Sequence, residues 1–385
     1  MKIVVILPTY NEKENVEKLI PLLIEKIFPK VKNHQMHLLV VDDNSPDGTG
    51  AVVEEFMKKW KSIELLKGTK NGLGAAYVRG MHYAMESMKA DAVMEFDADF
   101  QHDPEDIPHL IHAMDEGADY VIGSRYVKGG GIPKEWGIHR KIISRFGGLF
   151  AQVMLMRFDV HDMTSGYKLT KTSFLKNVDL DHLFSKYYAY KLHILHDILK
   201  QKAKVSEVPI IFYERKEGSS KITRKDLFDS FWVVIRLRIQ DSQKFLKFLV
   251  VGGFGFIINA IILKILSDNY NWNHSSANLV GAGVAIFSNY NFNNIWTFNE
   301  QKVSRISSYL WKLLQFYATS AFGVIFIQTG TIWIGDHLIG AGVLHIGPLA
   351  IKYYLIYFVL GTGLLLIWNF FIYSKLIWKK KKIEK

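Results

Sequence analysis

The chain has 385 residues, enough for two or three domains, and 49% of them are hydrophobic, too apolar for an ordinary charged soluble protein. It contains no cysteine, which excludes disulfides and thiolate zinc sites. Its 48 Lys and Arg outnumber 37 Asp and Glu, a surplus that suits anionic partners, although the C-terminal lysines alone could serve as a topology signal.

Residues 2–124 read as repeated strand–helix units. MKIVVILP is a strand, Glu12–Ile27 a helix, HLLVVDD a strand, Ala51–Trp60 a helix and SIELLK a strand. Ala75–Ser87 follows as a helix, DAVMEF as a strand, Pro104–Asp115 as a helix and ADYVIGS as a strand. Alternation of this kind predicts an α/β domain with a mainly parallel, Rossmann-like sheet and helices on both faces. The apolar run Ile3–Leu7 is too short for a signal peptide and Pro8 ends it, so this half is expected in the cytosol.

Two amphipathic helices are predicted next. Residues 139–158 align Ile142, Ile143, Phe146, Leu149, Phe150 and Val153 on one face, and residues 224–240 align Leu227, Phe228, Phe231, Trp232 and Ile235. Both carry arginines beside the apolar stripe, as helices at a membrane interface do; packing on the sheet is the alternative. Beyond residue 243 lie four stretches long enough to span a bilayer, near 245–267, 276–298, 311–335 and 351–376. The first and third connecting loops lack Lys and Arg, whereas the middle loop carries Lys302 and Arg305 and the tail runs Lys379 to Lys382. By the positive-inside rule both termini, and the N-terminal domain, face the cytoplasm. The expected division is residues 1–222, an interface helix at 223–243, an all-α membrane domain of four helices at 244–378 and a basic tail at 379–385.

Ligands in such α/β sheets bind beyond the carboxyl ends of the strands. Polar clusters sit at those ends: TYNE, DDNSPDGT, KGTKNGLG and DADFQ. In the last cluster Asp103 and Pro104 read as an N-cap and first helical residue, with Glu105 and Asp106 in the favoured first turn. Asp97 and Asp99 have no such explanation. Their spacing of two puts them on one side of an extended chain, with Gln101 continuing the parity if the chain stays extended. Oxygen ligands of this sort suit Mg²⁺ or Mn²⁺ completed by substrate phosphates, the alternative being a solvated turn. Gly72-x-Gly74 is a weak dinucleotide signal because Tyr77 occupies the third glycine position. No Walker lysine spacing and no Gly-x-Ser-x-Gly appears, which argues against an NTPase and a serine hydrolase. The histidines show no spacing beyond ordinary roles, though His102 could support Gln101.

Together PTYNE at 8–12, VVDDNSPDGT at 40–49, GLGAAYVRG at 72–80 and FDADFQHDP at 96–104 resemble the inverting family 2 glycosyltransferases of GT-A fold. GSRY at 123–126, DMTSGYKL at 162–169 and ERKEGSSK at 214–221 narrow the likeness to the polyprenyl-phosphate glycosyltransferases, especially the dolichyl-phosphate mannose synthases. The apolar half resembles their GtrA-like four-span domain. The resemblance implies that Pro8, Tyr10, Glu12 and Asp43 hold the nucleoside, that Asp42 and Asn44 shape the turn, and that Lys70 and Gly72 lie near ribose or base. Ala98 and Ser220 join the donor group, and Asp97, Asp99 and Gln101 hold the metal on the diphosphate. Arg125, Arg140 and Ser144 are implied at the acceptor phosphate, with Arg215 and Lys221 shared between phosphates; Asp99, Arg125, Arg140, Arg215 and Lys221 form the catalytic set. SGYK replaces the usual SGFR, leaving Lys168 without a role, and the Gln-x-x-Arg-Trp motif of processive synthases is absent. The expected reaction is inverting transfer of mannose from GDP-mannose to dolichyl phosphate in a lipid bilayer. The partners are thus a nucleotide sugar and a lipid, not nucleic acid. UDP-glucose as donor, or a non-catalytic transport or scaffold role, are the alternatives, and oligomeric state is open.

Overall fold

In the computed structural model, residues 1–214, 224–272, 274–347 and 349–379 are described. The chain divides into two compact units, Met1–Gln240 and Asp241–Lys385.

The first unit is built on β1 (Lys2–Thr9), β2 (Gln35–Asp42), β3 (Ile63–Lys67), β4 (Ala92–Glu95), β5 (Tyr120–Ser124), β6 (Lys168–Lys171) and β7 (Val205–Pro209), in the order β3-β2-β1-β4-β6-β5-β7. All pairs are parallel except those of β6, which runs antiparallel to both β4 and β5. The nearly continuous apolar run of β1 follows from its central place, since a strand covered on both faces needs no polar alternation. Val4 and Ile6 face one core with Leu39, Val41 and the helix α3 (Leu73–Glu86), while Ile3, Val5 and Leu7 face the other. All five are fully buried, each contributing roughly 1.5–3 kcal/mol of transfer free energy.

The helices fall where the periodicity predicts. α1 (Lys13–Pro21) continues through a wide turn at Leu22–Ile27, a widening that accompanies Pro21, whose nitrogen has no hydrogen to donate. α2 spans Thr49–Lys59, and α4 (Ile107–Asp115) follows a single 3₁₀ turn at Pro104–Asp106. Asp103 caps that turn, its carboxylate accepting from the Glu105 amide at 2.9 Å. Then come α5 (Ile138–Leu155), the short α6 (Thr172–Leu175), α7 (Tyr190–Lys200) and the long α8 (Arg224–Tyr270). α5 turns Ile138, Ile142, Ile143, Phe146, Leu149 and Val153 outward, and Phe228 and Trp232 at the start of α8 are also exposed. Meanwhile Phe150 packs on Phe231, and Val233, Val234 and Leu237 enter the core. Each helix therefore combines what were alternatives: it packs inward on one side and shows exposed apolar residues on the other.

In the second unit the rest of α8 is followed by α9 (His274–Phe292) and α10 (Ile306–Phe322), which runs through a π turn into α11 (Thr329–Leu338). A hairpin, β8 (Val343–Ile346) and β9 (Leu349–Lys352), precedes α12 (Tyr353–Ile372). The hairpin departs from the all-α expectation. Lys225–Tyr270, Ile306–Leu338 and Val359–Ile377 are long and apolar enough to cross a membrane. α9 occupies the second expected span without meeting that measure. The asparagines there make interhelical and loop contacts: Asn294 receives the Val303 amide at 2.8 Å and the Trp378 indole at 2.9 Å, and Tyr309 donates to Asn291 at 2.8 Å.

Gly80 marks a close helix–sheet contact in the first unit. A methyl group there would stand 2.7 Å from Ile6 Cγ2 and 3.0 Å from Val41 Cγ2. Gly80→Ala gains up to about 1 kcal/mol of helix propensity, but overpacking costs about 1–3 kcal/mol. The melting temperature of the detergent-solubilised protein should fall by several degrees; an unchanged or higher value would refute the packing account.

Candidate active site

The loops that leave β1 and β2 brace each other. Asp42 ends β2 buried, accepting from Thr9 Oγ1 at 2.9 Å, the Ser45 amide at 3.0 Å and Ser45 Oγ at 2.6 Å. Asn11 and Asn44 take left-handed backbone at φ 56° and 53°, a conformation that Asn tolerates better than most residues. Three successive amides then dock on the second loop: Asn11 on Ser45 Oγ, Glu12 on Thr49 Oγ1 and Lys13 on Asp47 Oδ2. Pro8 lies at the end of β1 in register with Val41, and the Lys70 ammonium stands 3.5 Å over the Tyr10 ring. Asp43 is ion-paired with Arg79, which lies against Gly68. Pro8, Tyr10, Glu12, Asp42, Asp43 and Lys70 thus collect at one edge of the sheet, with Asp42 fully engaged as a brace. Arg79 had no role in the sequence reading; its signal was only its place in GLGAAYVRG.

Gly72 and Gly74 are explained by packing. Gly72 has φ 102°, and side chains at the two positions would collide with the Lys186 carbonyl at 2.5 and 2.9 Å. The Ala75 amide donates to that same carbonyl at 3.1 Å. Backbone at 186–187 therefore fills the space beside both glycines, and that close approach by itself accounts for their lack of side chains.

β4 stops at Glu95, and the chain beyond it carries the paired acids. Asp97 Oδ1 accepts from the Tyr77 hydroxyl at 2.7 Å; Ala98 and Asp99 are buried, and Asp99 Oδ1 accepts from the Gln101 amide at 3.0 Å. The chain does not stay extended. Phe100 turns left-handed at φ 57°, so Gln101 does not continue the parity of the two aspartates. Its side-chain amide instead donates to the Tyr213 carbonyl at 3.2 Å, and the Tyr213 amide returns a bond to the Gln101 carbonyl at 2.9 Å. The two carboxylates stand as hard oxygen donors at the sheet edge. Among the described residues no three His, Asp or Glu side chains converge as a metal cage.

Beneath this loop lies a buried polar layer. The Tyr190 hydroxyl donates to Glu95, and Tyr190 stacks on Tyr77 with ring centres 5.5 Å apart. Lys168 is fully buried and donates to the Lys191 carbonyl at 3.1 Å. Burial drives the Lys168 ammonium below its usual range and the Glu95 carboxyl above its own, and their mutual attraction opposes both shifts. Lys168 therefore sits within electrostatic reach of the acid that ends β4, while its hydrogen bond goes to backbone.

The cationic side of the site is tied in through aromatic rings. Arg125 is held by buried Asp162, Nε to Oδ2 at 2.7 Å and Nη2 to Oδ1 at 2.8 Å, and its Nη2 also reaches Thr164 at 2.9 Å. Ser144 shares a hydrogen bond with the Tyr126 hydroxyl at 2.6 Å, and the Arg145 guanidinium lies 4.9 Å over that ring. Arg140 stacks on Trp136 at 4.0 Å, Trp136 meets Phe212 edge-on at 5.8 Å, and Phe212 meets His102 at 5.1 Å. Arg140 is therefore joined to the aspartate loop through Trp136, Phe212 and His102, and Arg125, 5.5 Å over Phe212 and 5.3 Å over Tyr126, brings in Ser144 through the Tyr126 hydroxyl. Sequence reading missed Asp162, Tyr77, Trp136 and Phe212. Asp162 sits inside a quoted motif, but Phe212 carries no signal at all. Arg215, Ser220 and Lys221 lie outside the described residues.

Residues 4–179 match the model of glycosyl transferase family 2, and residues 247–378 match the GtrA/DPMS transmembrane domain. A dolichol-phosphate mannosyltransferase of Pyrococcus furiosus is 32% identical over 330 residues, 84% of this chain and 88% of that protein. The chain belongs to glycosyltransferase family 2. A polyprenol monophosphomannose synthase of Mycolicibacterium smegmatis is 36% identical over 60% of this chain and 84% of its own length. An undecaprenyl-phosphate mannosyltransferase of Micrococcus luteus is 38% identical over 58% of this chain and 88% of its own. Those two alignments span 232 and 224 residues, against 330 for the first. The family assignment makes the seven-stranded unit a GT-A glycosyltransferase domain, with the helical unit its membrane partner.

His102 offers a measurable signature of the buried site. Burial above all lowers its imidazole to about 3, and its Nδ1 has no partner among the described residues. Below pH ~6.5 the unfolded chain takes up a proton that the folded site refuses, so stability falls as pH drops toward 3, by roughly 1.4 kcal/mol per pH unit. Between pH 7 and pH 5 the melting temperature should fall more steeply for wild type than for His102→Phe. Equal slopes would show that the imidazole is not held neutral.

Proposed function

We propose that this enzyme transfers mannose from GDP-mannose to the phosphate of dolichol or a related polyprenol, with inversion, at the cytoplasmic face of a membrane. The observation that carries the reading is the joining of a carboxylate pair at the sheet edge to an arginine-bearing aromatic cluster beside α5. Such a site can hold a nucleoside diphosphate and a second phosphate close together. The activities named for the three relatives support the sugar and the lipid class.

In this reading Pro8, Tyr10, Glu12, Asp43 and Lys70 receive the nucleoside, and Asp42 keeps their loop in place. Asp97 and Asp99 fit Mg²⁺ or Mn²⁺, because hard oxygen donors with few protein groups leave room for phosphate and water. When bound, such an ion neutralises charge on the leaving diphosphate. Gln101 anchors the loop through Tyr213. Asp162 and Thr164 engage Nε and Nη2 of Arg125, so its Nη1 edge is presented to the acceptor phosphate together with Arg140 and Ser144. Arg215, Ser220 and Lys221 serve the remaining phosphate charge.

A phosphate monoester has a second pKa of ~6, so the acceptor is already an anionic nucleophile at neutral pH. No side chain need remove a proton from it. Attack on the face opposite the diphosphate inverts the anomeric carbon, and the protein's work is to hold two anions at close range. The exposed apolar faces of α5 and the start of α8 would seat the site at headgroup level. Four spans with both termini cytoplasmic remain the favoured topology, supported by the loop charges and by helices at all four expected positions.

Purified full-length protein with Mn²⁺ and a polyprenyl phosphate should form lipid-linked sugar from GDP-mannose in preference to UDP-glucose. Preference for UDP-glucose would overturn the donor assignment. Asp99→Asn should lower turnover about a thousandfold with an unchanged melting temperature; full activity in that variant would remove the metal role.

A further inference from the structure

Lys191, in the first turn of α7, was not singled out by the sequence. Its side chain is nine-tenths buried, yet among the described residues its ammonium makes no ion pair. Only the edges of cation–π range are filled, with Nζ 5.9 Å from the ring centres of Tyr188 and Tyr190. A buried charge in that state calls for an anion, since burial without a partner is strongly unfavourable.

Gly166 shows where the ammonium points. A methyl group built on Gly166 would stand 2.9 Å from Lys191 Nζ, 3.5 Å from Asp97 Oδ2 and 3.5 Å from His102 Cε1. The three groups converge on the space above a residue with no side chain. Asp97 Oδ1 is taken by Tyr77, so Oδ2 is the oxygen that faces this space. Glu95, a buried acid that feels the Lys191 charge, is already engaged by Tyr190, and the Lys191 carbonyl is fixed by Lys168. The backbone of Lys191 is thereby anchored while its ammonium is left facing the site.

We propose that Lys191 is a protein-borne cation of the donor site, its ammonium contacting the diphosphate of the nucleotide from the side opposite the metal carboxylates, and that Gly166 keeps that space open. This rests on the reading of Asp97 and Asp99 as facing the donor diphosphate. Two opposite effects follow from placing a positive charge there. It attracts the diphosphate, and it repels a divalent ion approaching Asp97.

The test measures binding, on the full-length protein, with GDP or UDP, whichever wild type binds in the presence of Mn²⁺. Lys191→Gln should weaken the nucleoside diphosphate about tenfold or more, as loss of a charge-assisted hydrogen bond does, while the nucleoside monophosphate changes by less than about twofold. Mn²⁺ alone, followed by electron paramagnetic resonance, should bind the variant more tightly. Gly166→Ala, which pushes only the far end of a flexible side chain, should shift both constants the same way by less. Lys191→Arg should recover part of the diphosphate affinity. A merely structural lysine would weaken metal and nucleotide together, and that outcome overturns the proposal. So does an unchanged diphosphate affinity, or a loss confined to the KM of the lipid phosphate. Failure of wild type to bind either diphosphate with Mn²⁺ would instead sink the glycosyl-donor reading itself.

Discussion

A buried strand that ends in carboxylates is stable only if every acid has a partner, and that constraint organises the catalytic half. β4 delivers Glu95, Asp97 and Asp99 within five residues. Glu95 is answered by Tyr190 and the attraction of Lys168, Asp97 by Tyr77 and Asp99 by the Gln101 amide. The partners come from α3, α7, β6 and the loop itself, so the elements around the sheet edge are tied to one short stretch of chain. Asp97 keeps its second oxygen, Oδ2, turned toward the space beside Gly166. Packing explains the acids below, and function must explain those above.

Much of this was legible before any coordinates. The runs of β1, β2 and β4 are apolar because both faces are covered, and that pattern stands out against the helical periodicity between them. The Asp103–Pro104 helix start was readable because its chemistry is local: a cap oxygen, a missing amide and a dipole. β6 was not readable. It is the strand of the seven-stranded sheet that runs antiparallel to its neighbours, inserted between β4 and β5, and its sequence KLTK buries a lysine and a threonine in place of the β-branched apolar residues that mark a buried strand. The parity of Gln101 failed for a related reason. Period-2 reasoning holds only while the backbone is extended, and nothing in Asp-Phe-Gln announces that Phe100 will turn left-handed.

The glycine loop shows how one signal can carry two explanations. Glycines after a strand invite a phosphate, but a glycine is required wherever any atom approaches closely, and here the atom is the Lys186 carbonyl. Only tertiary structure distinguishes a ligand from a neighbouring segment of the same chain. Asp162 is the converse case. It lies in a stretch quoted for its family likeness, yet its work is to fix Arg125, with Nε and Nη2 both taken. A buried bidentate pair of this kind contributes little net stability against an apolar substitute, but it fixes direction. In the proposed role of Arg125 at a phosphate, direction is the useful property.

The membrane half applies the same logic to different solvents. In the catalytic unit, unpaired polar groups could still find water at a loop; in hydrocarbon they must find each other. Asn291 and Asn294 accordingly meet Tyr309, Trp378 and the Val303 backbone, and the helices they join carry few charges. A nucleotide sugar and a polyprenyl phosphate differ in the same way, one wholly aqueous and one anchored by its tail. An enzyme that joins them needs a cationic site at the boundary more than it needs a base. Two anions repel until cations lie between and beside them, and the acceptor phosphate is ionised already. The arginines stacked on aromatic rings beside the exposed face of α5 and the buried ammonium of Lys191 both put positive charge close to the aspartate loop, in keeping with that electrostatic requirement.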